Sequence, residues 1–399
     1  MIKQSLISLA ILVNFLGFCY AKKEQKLTTY KSQELYILGK NERIEGNYKK
    51  ALSYLRAAIK KDPQNSDINF ELSLAHLACG NLTKGFNLLH NVTYNPDAFE
   101  NPWNGESLKG KTVFVNAAWG GLGDTLMLIR YVQQLKVRGA QHIILQVFKP
   151  LLTLLSYCPY IDYLIGYDYI ENDQNMYRTT FNYYSSNNVN NDFSINISLS
   201  DFQINLISLP HFLKTSIKNI PTMPYLTADP KLVQQWQTKL QSNNFKVGIC
   251  WQGAQRTDLQ LMKRSISLKS LAPLLTIPGI EIYNLQKGCE EEITGLDPAC
   301  SLLCFDKDFD IKNGSFMDTA AVMRNLDLVI TIDTAIAHLA GGLGVPVWVM
   351  LPYSADWRYH IDRSDSPWYP SMRLFRQPTP GDWKTVIEEM VAALNNIIN

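Results

Sequence analysis

The sequence lacks a surplus of charge of either sign. Its 399 residues carry 38 Lys and Arg against 36 Asp and Glu, which leaves a net charge of +2. Nucleic-acid-binding proteins usually present a strong positive surplus, so we expect no nucleic-acid partner. Hydrophobic residues make up 46% of the chain and charged residues 19%. Such a chain buries sizeable cores, and wholesale disorder is excluded.

Paired cysteines are also lacking. The chain has seven cysteines but no Cys-x-x-Cys pair, which removes the spacing typical of zinc and redox sites. One of the seven, Cys19, lies in a segment that is lost if the N-terminus is a cleaved signal. The odd number of cysteines therefore says nothing about whether the others form disulfides. We interpret the cysteines as scattered core thiols.

Long hydrophobic runs are lacking after the first twenty residues. One apolar stretch, Leu6–Phe18, follows Lys3 and precedes small residues at the −3 and −1 positions of a possible cleavage site. This order is typical of a secretory signal, and the stretch is short for a membrane-spanning helix, which needs about 20 apolar residues. We therefore predict that residues 1–21 are a signal peptide or signal anchor. The protein is then membrane-associated through this segment or exported, and the side of the membrane stays open.

A repeat of 34 residues follows the N-terminal segment. Four residues recur at this offset, namely Leu38, Gly46, Asn47 and Leu55 at Leu72, Gly80, Asn81 and Leu89. This period is that of the tetratricopeptide repeat, a helical hairpin with small residues where its helices touch. We predict two such repeats over residues 30–95. Because about three repeats are needed for independent stability, we expect the pair to dock on the following domain or on a protein partner.

Two alternating series of strands and helices come next. The first has strands at Thr112–Asn116 and His142–Phe148 around a helix at Thr125–Arg138, a parallel crossover unit. The second begins after Pro210–Pro230, which we interpret as an interdomain linker. Its main predicted elements are strands at Lys246–Trp251, Ile280–Leu285, Leu328–Ile332 and Val345–Leu351 and a final helix at Trp383–Ile398. An α/β fold with two sheets is predicted, and ligands of such folds bind at the carboxyl ends of the strands.

The strongest chemical signal lies where the predicted strand Leu328–Ile332 meets a helix. Asp333 ends the strand, and Thr334 and Ala335 open a helix that carries His338 one turn later. Unpaired N–H groups at a helix start form an anion site. Taken singly, Asp333 or Thr334 is an N-cap and His338 is a core histidine. Together at one junction they favour phosphate binding.

A glycine-rich turn is the second signal. Gly120, Gly121 and Gly123 follow the strand Thr112–Asn116, and Asp124 begins the next helix. Glycines let the backbone approach a ligand closely, and the carboxylate of Asp124 either caps the helix or projects into the cleft. The spacing departs from the dinucleotide fingerprint Gly-x-Gly-x-x-Gly, which disfavours a dehydrogenase.

The polar stretch 252–267 is the third signal. It carries the cations Arg256, Lys263 and Arg264 after a predicted strand. Cations at such a position neutralise a diphosphate leaving group, but a solvated basic loop fits the pattern equally well. Both interpretations stay open on the residues alone.

A set of longer motifs resembles one known family. The motifs are Gly248-Ile-Cys-Trp-Gln-Gly253, Arg264-Ser-Ile-x-Leu268, Leu285-Gln-Lys-Gly288, Asp333-Thr-x-x-Ala-His-Leu-Ala-Gly341, Gly344-x-Pro-Val-Trp348, Asp356-Trp-Arg358 and the stretch Ser366–Pro378. Together with the repeat pair they resemble the tetratricopeptide-linked glycosyltransferases of the heptosyltransferase-like group, glycosyltransferase family 9. The resemblance covers roughly Thr112–Asn399 and is densest in the C-terminal half.

The resemblance implies a GT-B fold of two Rossmann-like domains facing a cleft. The acceptor domain is expected at residues 110–222 and the donor domain at residues 230–399. It also implies a nucleotide-sugar donor, a hydroxyl acceptor on a glycan, lipid-linked glycan or protein, inverting transfer, no cofactor and no obligatory metal.

The resemblance implies roles for particular residues as well. Asp124 becomes the candidate general base, next to the glycines at 120, 121 and 123. The remaining residues would bind the donor: Lys263 or Arg264 at phosphate, Gln286, Lys287 and Gly288 near the nucleoside, and Asp333, Thr334, Ala335 and His338 at the diphosphate. The chain departs from the family at Ala335, where heptosyltransferases often carry glycine.

Two other functions remain open from the sequence. A non-catalytic interaction protein would use the repeats to bind a partner and keep the GT-B body as a scaffold. A sugar-nucleotide epimerase shares the architecture but needs acid and base carboxylates around the sugar, which the sequence does not locate. Incubation with nucleotide sugars distinguishes the three functions. A glycosyltransferase transfers the sugar, an interaction protein binds it without turnover, and an epimerase releases sugar isomers.

Overall fold

The computed structural model describes residues 30–168, 182–185, 197, 200–253 and 264–398. The predicted signal segment at 1–21, and the cations Arg256 and Lys263, lie outside the described residues. The chain divides into two compact units, one ending at Val92 and the other beginning at Thr93.

The first unit is helical. Its helices are α1 (Ser32–Ile44), α2 (Tyr48–Lys61), α3 (Ser66–Ala78) and α4 (Leu82–Thr93). Small and large apolar side chains alternate in the cores, where Ala51, Leu55 and Ala75 are fully buried. Two helical hairpins are therefore present, as the 34-residue offset predicts.

The first sheet of the second unit has five strands in the order β4-β3-β2-β1-β5. They are β1 (Thr112–Asn116), β2 (His142–Phe148), β3 (Tyr163–Tyr167), β4 (Asn182–Ser185) and β5 (Phe202–Asn205). All neighbours pair in parallel except β4, which is antiparallel to β3. Strand β5, which has four residues and lies at the sheet edge, was not predicted from the sequence.

The helices of this half are α5 (Leu122–Leu128), α6 (Arg130–Val137), α7 (Leu152–Leu155) and α8 (Leu209–Phe212). Short 3₁₀ turns lie at Pro96–Ala98, Lys149–Leu151 and Leu206–Ser208. The prediction of one continuous helix at Thr125–Arg138 is wrong, because the chain forms two helices with a break at Ile129. There the N–H of Val132 donates to the carbonyl of Ile129, three residues back, which is the tighter 3₁₀ pattern.

The second sheet has five parallel strands in the order β10-β9-β8-β6-β7. They are β6 (Phe245–Cys250), β7 (Ile280–Asn284), β8 (Leu328–Ile332), β9 (Val347–Leu351) and β10 (Met372–Arg376). Every residue of β8 and β9 is buried, as expected for strands covered on both faces. The edge strand β10 was not predicted, because Arg373 and Arg376 interrupt its apolar pattern.

The helices of this half are α9 (Pro230–Lys239), α10 (Ala272–Leu275), α11 (Glu290–Thr294), α12 (Met317–Met323), α13 (Ala335–Leu343) and α14 (Trp383–Ile398). Further 3₁₀ turns lie at Leu268–Leu271 and Trp357–Tyr359. The α/β class with two sheets and preceding helical repeats is confirmed.

The proline-containing stretch 210–230 is more than a linker. The N–H groups of Tyr225 and Leu226 both donate to the carbonyl of Gly342 at 3.0 Å, and the hydroxyl of Tyr160 donates to the carbonyl of Tyr225 at 2.9 Å. Tyr225 and Leu226 are both buried. The interpretation as a simple linker is therefore corrected, since this segment packs against both α/β halves.

Candidate active site

The glycine-rich turn and the start of α13 meet at one place. The turn connects β1 to α5, and Asp333 and Thr334 connect β8 to α13. A Cβ atom added at Gly123 would lie 3.0 Å from Cδ2 of His338 and 3.7 Å from the backbone nitrogen of Ala335. Glycine at position 123 therefore allows the close approach of the two loops. The structure brings together the two strongest motifs of the sequence, which lie about two hundred residues apart.

Asp124 folds back over the glycine-rich turn. Its Oδ2 accepts the N–H of Gly121 at 2.6 Å, so the side chain caps the start of α5. Gly120 has a φ of +88°, and a Cβ atom there would lie 2.7 Å from the same Oδ2. A glycine is needed at position 120 both for the left-handed backbone and for the space that Asp124 occupies.

Arg358 is a functional candidate to which the sequence motifs gave no role. It lies in the 3₁₀ turn after β9, and its Nη2 donates to Oδ1 of Asp124. Its Nη1 donates to Oδ1 of Asp356 at 2.6 Å, and its guanidinium lies 4.5 Å from the ring centroid of Trp357. The signal was available in the run Asp356-Trp-Arg358. The spacing alone did not show that this arginine reaches Asp124.

Asp333 is a partly buried carboxylate with two polar neighbours. Its Oδ1 accepts the hydroxyl of Tyr359 at 2.9 Å, and its Oδ2 lies 3.6 Å from Nη1 of Arg264. Burial raises the pKa of Asp333, the charge of Asp356 raises it further, and the charge of Arg264 opposes this shift. Asp333 thereby positions the Tyr359 hydroxyl and the Arg264 guanidinium beside the start of α13.

Carboxylates outnumber cations in this cluster. Two cations, Arg264 and Arg358, lie among three carboxylates, Asp124, Asp333 and Asp356. Each of the two arginines therefore has a carboxylate neighbour. An incoming anion competes with these carboxylates for the two guanidinium groups.

Thr334 is the N-cap of α13. Its Oγ1 accepts the N–H of Ile336 at 3.2 Å, and its carbonyl accepts the N–H of Ala337 at 3.1 Å. Ala335, the first residue of α13, has no acceptor one turn earlier in the helix. The expectation of several unpaired N–H groups is corrected, since the cap already satisfies two of them.

His338 lies one turn into α13 and is 3% exposed. Its Nδ1 lies 2.9 Å from the hydroxyl of Tyr369. Burial lowers the pKa of His338 well below its usual value, and the charges of Arg358, Arg130 and Arg264 act in the same direction. The imidazole is therefore neutral at physiological pH.

The predicted nucleoside residues follow β7. Oε1 of Gln286 accepts the N–H of Gln252 at 2.9 Å and lies 3.1 Å from the thiol sulfur of Cys250. Nζ of Lys287 donates to the carbonyl of Phe309 at 3.4 Å, and Gly288 has a φ of +67°. These contacts join the loops after β6 and β7. A nucleoside role for Gln286, Lys287 and Gly288 stays a prediction.

The loop after β6 continues this contact network toward Asp333. A Cβ atom at Gly253 would lie 2.7 Å from Nε of Arg264, and Arg264 lies beside Asp333. The loops after β6 and β8 therefore share one edge of the second sheet, the edge at which the glycine-rich turn approaches.

Within the described ranges, no helix is both long and apolar enough to cross a membrane. Over the same residues, no group of three or more His, Cys, Asp or Glu side chains is placed to hold a metal ion.

Comparisons with known proteins match this architecture. A family model described as tetratricopeptide repeat matches residues 43–93. The glycosyl transferase family 9 structure from Veillonella parvula is 12% identical and covers 73% of this chain and 98% of its own, with a TM-score of 0.50. The chain combines a tetratricopeptide repeat with the fold of a family 9 glycosyltransferase. ADP-heptose heptosyltransferase II of Escherichia coli is 12% identical over 72% of this chain and 98% of its own, with a TM-score of 0.45.

One curated protein that is similar to this chain is Protein FlbA of Caulobacter vibrioides. It is 30% identical over 176 residues, which is 43% of this chain. The match spans 29% of the length of FlbA. The resemblance stated from the motifs is confirmed at the level of the fold and the repeat.

Proposed function

We propose that this protein is a glycosyltransferase that moves a sugar from a nucleotide-sugar donor to a hydroxyl acceptor, with inversion and without a metal ion. One observation carries the proposal, namely the meeting of the Gly120–Asp124 turn with the Asp333–His338 junction. Ligands of folds with two facing sheets bind at the carboxyl ends of the strands. Both motifs lie at such ends, after β1 and β8.

Asp124 is the proposed general base. Its carboxylate takes the proton of the acceptor hydroxyl while the acceptor oxygen forms a bond to the anomeric carbon. The bond between that carbon and the donor phosphate oxygen breaks, and the nucleoside diphosphate leaves with the electron pair. Attack from the face opposite the leaving group inverts the anomeric configuration.

The leaving diphosphate is stabilised by cations and by a helix start. Arg264 lies 3.6 Å from Asp333 and the charge of Arg358 also acts on Asp333, and the N-terminus of α13 contributes its positive dipole end. Arg358 pairs with Asp124 and Asp356. A diphosphate that draws Arg358 toward itself frees Oδ1 of Asp124 for the acceptor proton, which links donor binding to activation of the base.

The repeat segment supports a role in partner binding. Tetratricopeptide hairpins stack into surfaces on which proteins dock. We propose that the acceptor is a glycan, a lipid-linked glycan or a protein, and that the repeats bind a protein partner. The hydrophobic N-terminus supports membrane association or export of this activity.

A panel of nucleotide sugars tests the function on the full chain. Release of nucleoside diphosphate that depends on an added acceptor is the expected result, and excess chelator should leave the rate unchanged. The anomeric configuration of the product, read by NMR, should be opposite to that of the donor. Binding without turnover would support the interaction protein instead, and release of sugar isomers would support an epimerase.

A further inference from the structure

A buried chain of hydrogen bonds leads from Arg130 to His338. The hydroxyl of Tyr225 donates to the carbonyl of Leu126 at 2.8 Å, and Nη2 of Arg130 donates to the same hydroxyl at 3.0 Å. The hydroxyl of Tyr369 lies 3.3 Å from that of Tyr225 and 2.9 Å from Nδ1 of His338. All these side chains are buried.

The carbonyl at one end fixes the direction of the first bond, and one set of directions then makes every contact in this chain a hydrogen bond. A carbonyl oxygen only accepts, so the single hydroxyl proton of Tyr225 points to Leu126. Tyr225 then has no proton for Tyr369, and Tyr369 donates its own proton to Tyr225. Toward His338, Tyr369 is left as an acceptor. When both contacts of the Tyr369 hydroxyl are hydrogen bonds, Nδ1 of His338 carries the proton.

The other ring nitrogen is left with a lone pair. The imidazole is buried near three arginines, and both conditions disfavour a second proton on it. Among the residues that the structure describes, Nε2 of His338 has no hydrogen-bond partner. Cδ2, which is bonded to Nε2, faces Gly123. The free acceptor thus lies beside the glycine-rich turn, at the meeting point of the two motifs.

We propose that Arg130, Tyr225 and Tyr369 hold His338 as its Nδ1–H tautomer, and that Nε2 accepts a hydrogen bond from a hydroxyl of the bound sugar nucleotide. The identity of the ligand rests on the proposed function. The oxygens of an ionised diphosphate carry no proton and act only as hydrogen-bond acceptors. Nε2 of His338 is also an acceptor, so it forms no hydrogen bond with them. His338 therefore recognises a hydroxyl group, in contrast to the diphosphate role expected from the sequence.

The tautomer is tested in the unliganded full chain. Nitrogen-15 NMR of the imidazole should show Nδ1 protonated and Nε2 unprotonated in the wild type. Tyr225→Phe removes the acceptor of the Tyr369 hydroxyl, which then donates to Nδ1, so the proton should move to Nε2. Tyr160→Phe is the matched control, because that buried hydroxyl donates to the Tyr225 carbonyl and has no place in the hydroxyl chain from Arg130 to His338, and it should leave the tautomer unchanged.

Two NMR results would overturn the proposal. One is a protonated Nε2 in the wild type. The other is a tautomer that stays the same in Tyr225→Phe, because the hydrogen-bond chain would then not determine it.

The ligand is tested by calorimetry with a nucleotide sugar that binds the wild type and with inorganic pyrophosphate. His338→Ala should weaken nucleotide-sugar binding about tenfold, as expected for one hydrogen bond, and change pyrophosphate affinity less than about twofold. Tyr225→Phe should also weaken nucleotide-sugar binding selectively and covers the case in which His338→Ala does not fold. An equal loss for pyrophosphate would overturn the hydroxyl assignment.

The experiments distinguish failure of the His338 proposal from failure of the proposed function. If no nucleotide sugar binds the wild type, the proposed function and the ligand assignment both fall, whereas NMR still decides the tautomer. If nucleotide sugars bind and are turned over but His338→Ala binds them normally, only the hydroxyl assignment falls.

Discussion

At the scale of single residues, the main prediction concerns Asp124, the proposed general base. Asp124→Asn keeps an oxygen that accepts the Gly121 N–H but removes the basic carboxylate. We expect turnover to fall at least about a hundredfold, as for loss of a general base, with donor affinity nearly intact. Steady-state kinetics and calorimetry measure the two quantities. Asp365→Asn is the control because this exposed carboxylate pairs with Arg363, and near-normal turnover of Asp124→Asn would reject its role as base.

Gly120 makes a separate prediction about the same turn. Gly120→Ala places a Cβ on a left-handed backbone and 2.7 Å from the Asp124 carboxylate. We expect the free energy of unfolding to fall by about 1–2 kcal/mol from the backbone alone. Displacement of Asp124 should lower turnover as well.

Gly279 separates these two effects. It has a φ of +82°, and a Cβ there would meet nothing within 4 Å. Gly279→Ala should therefore lose a similar stability and keep full turnover. If both alanine variants turn over donor equally, the contact between position 120 and Asp124 has no part in catalysis.

At the scale of one element, helix α3 carries a buried histidine that should make the repeats sensitive to acid. His76 is 1% exposed, and neither of its ring nitrogens has a hydrogen-bond partner among the described residues. Burial lowers its pKa from 6.5 to about 4, with the charges of Lys84 and Arg56 acting in the same direction. The unfolded chain therefore binds this proton more readily than the folded chain.

The contribution of neutral His76 to the free energy of unfolding is thus fully present above about pH 6.5, and it falls as the pH drops toward about 4. His76→Leu should flatten this part of the pH dependence of thermal unfolding, followed by circular dichroism. The control variant His142→Gln changes a more exposed histidine and should not flatten this pH dependence. An NMR titration that finds His76 titrating near 6.5 would contradict the expectation.

At the scale of the whole second unit, Arg130 ties the two α/β halves together. It is fully buried in α6 and donates to the carbonyls of Met127, Pro221 and Trp368. Its guanidinium also lies 4.4 Å from the ring centroid of Tyr369. One side chain therefore satisfies groups from both halves and from the segment between them.

Arg130→Met should lower the free energy of unfolding by at least about 3 kcal/mol, because several buried acceptors lose their donors. Urea denaturation measures this loss. Arg363→Met, at a partly exposed arginine paired with Asp365, should change stability by less than about 1 kcal/mol. Equal stability of the two variants would show that other contacts hold the halves together.

The sequence by itself determined the features that depend on neighbours along the chain. The repeat followed from an offset of 34 residues, and the buried strand Leu328–Ile332 and the helix Trp383–Ile398 were predicted with the bounds that the structure has. Hydrophobic periodicity and turn residues act over a few positions, so they can be read locally. The signals were weak at β5 and β10, where the strands are short or polar and lie at sheet edges.

Only the tertiary structure decided what each functional side chain contacts. Arg358 reaches Asp124 across 234 positions, and Arg130 reaches the carbonyl of Trp368 across 238. Such contacts depend on how two sheets and a packed segment come together, and no periodicity or spacing encodes them. The proton on His338 depends on a hydroxyl chain of this kind, and for that reason its chemistry emerged only from the folded chain.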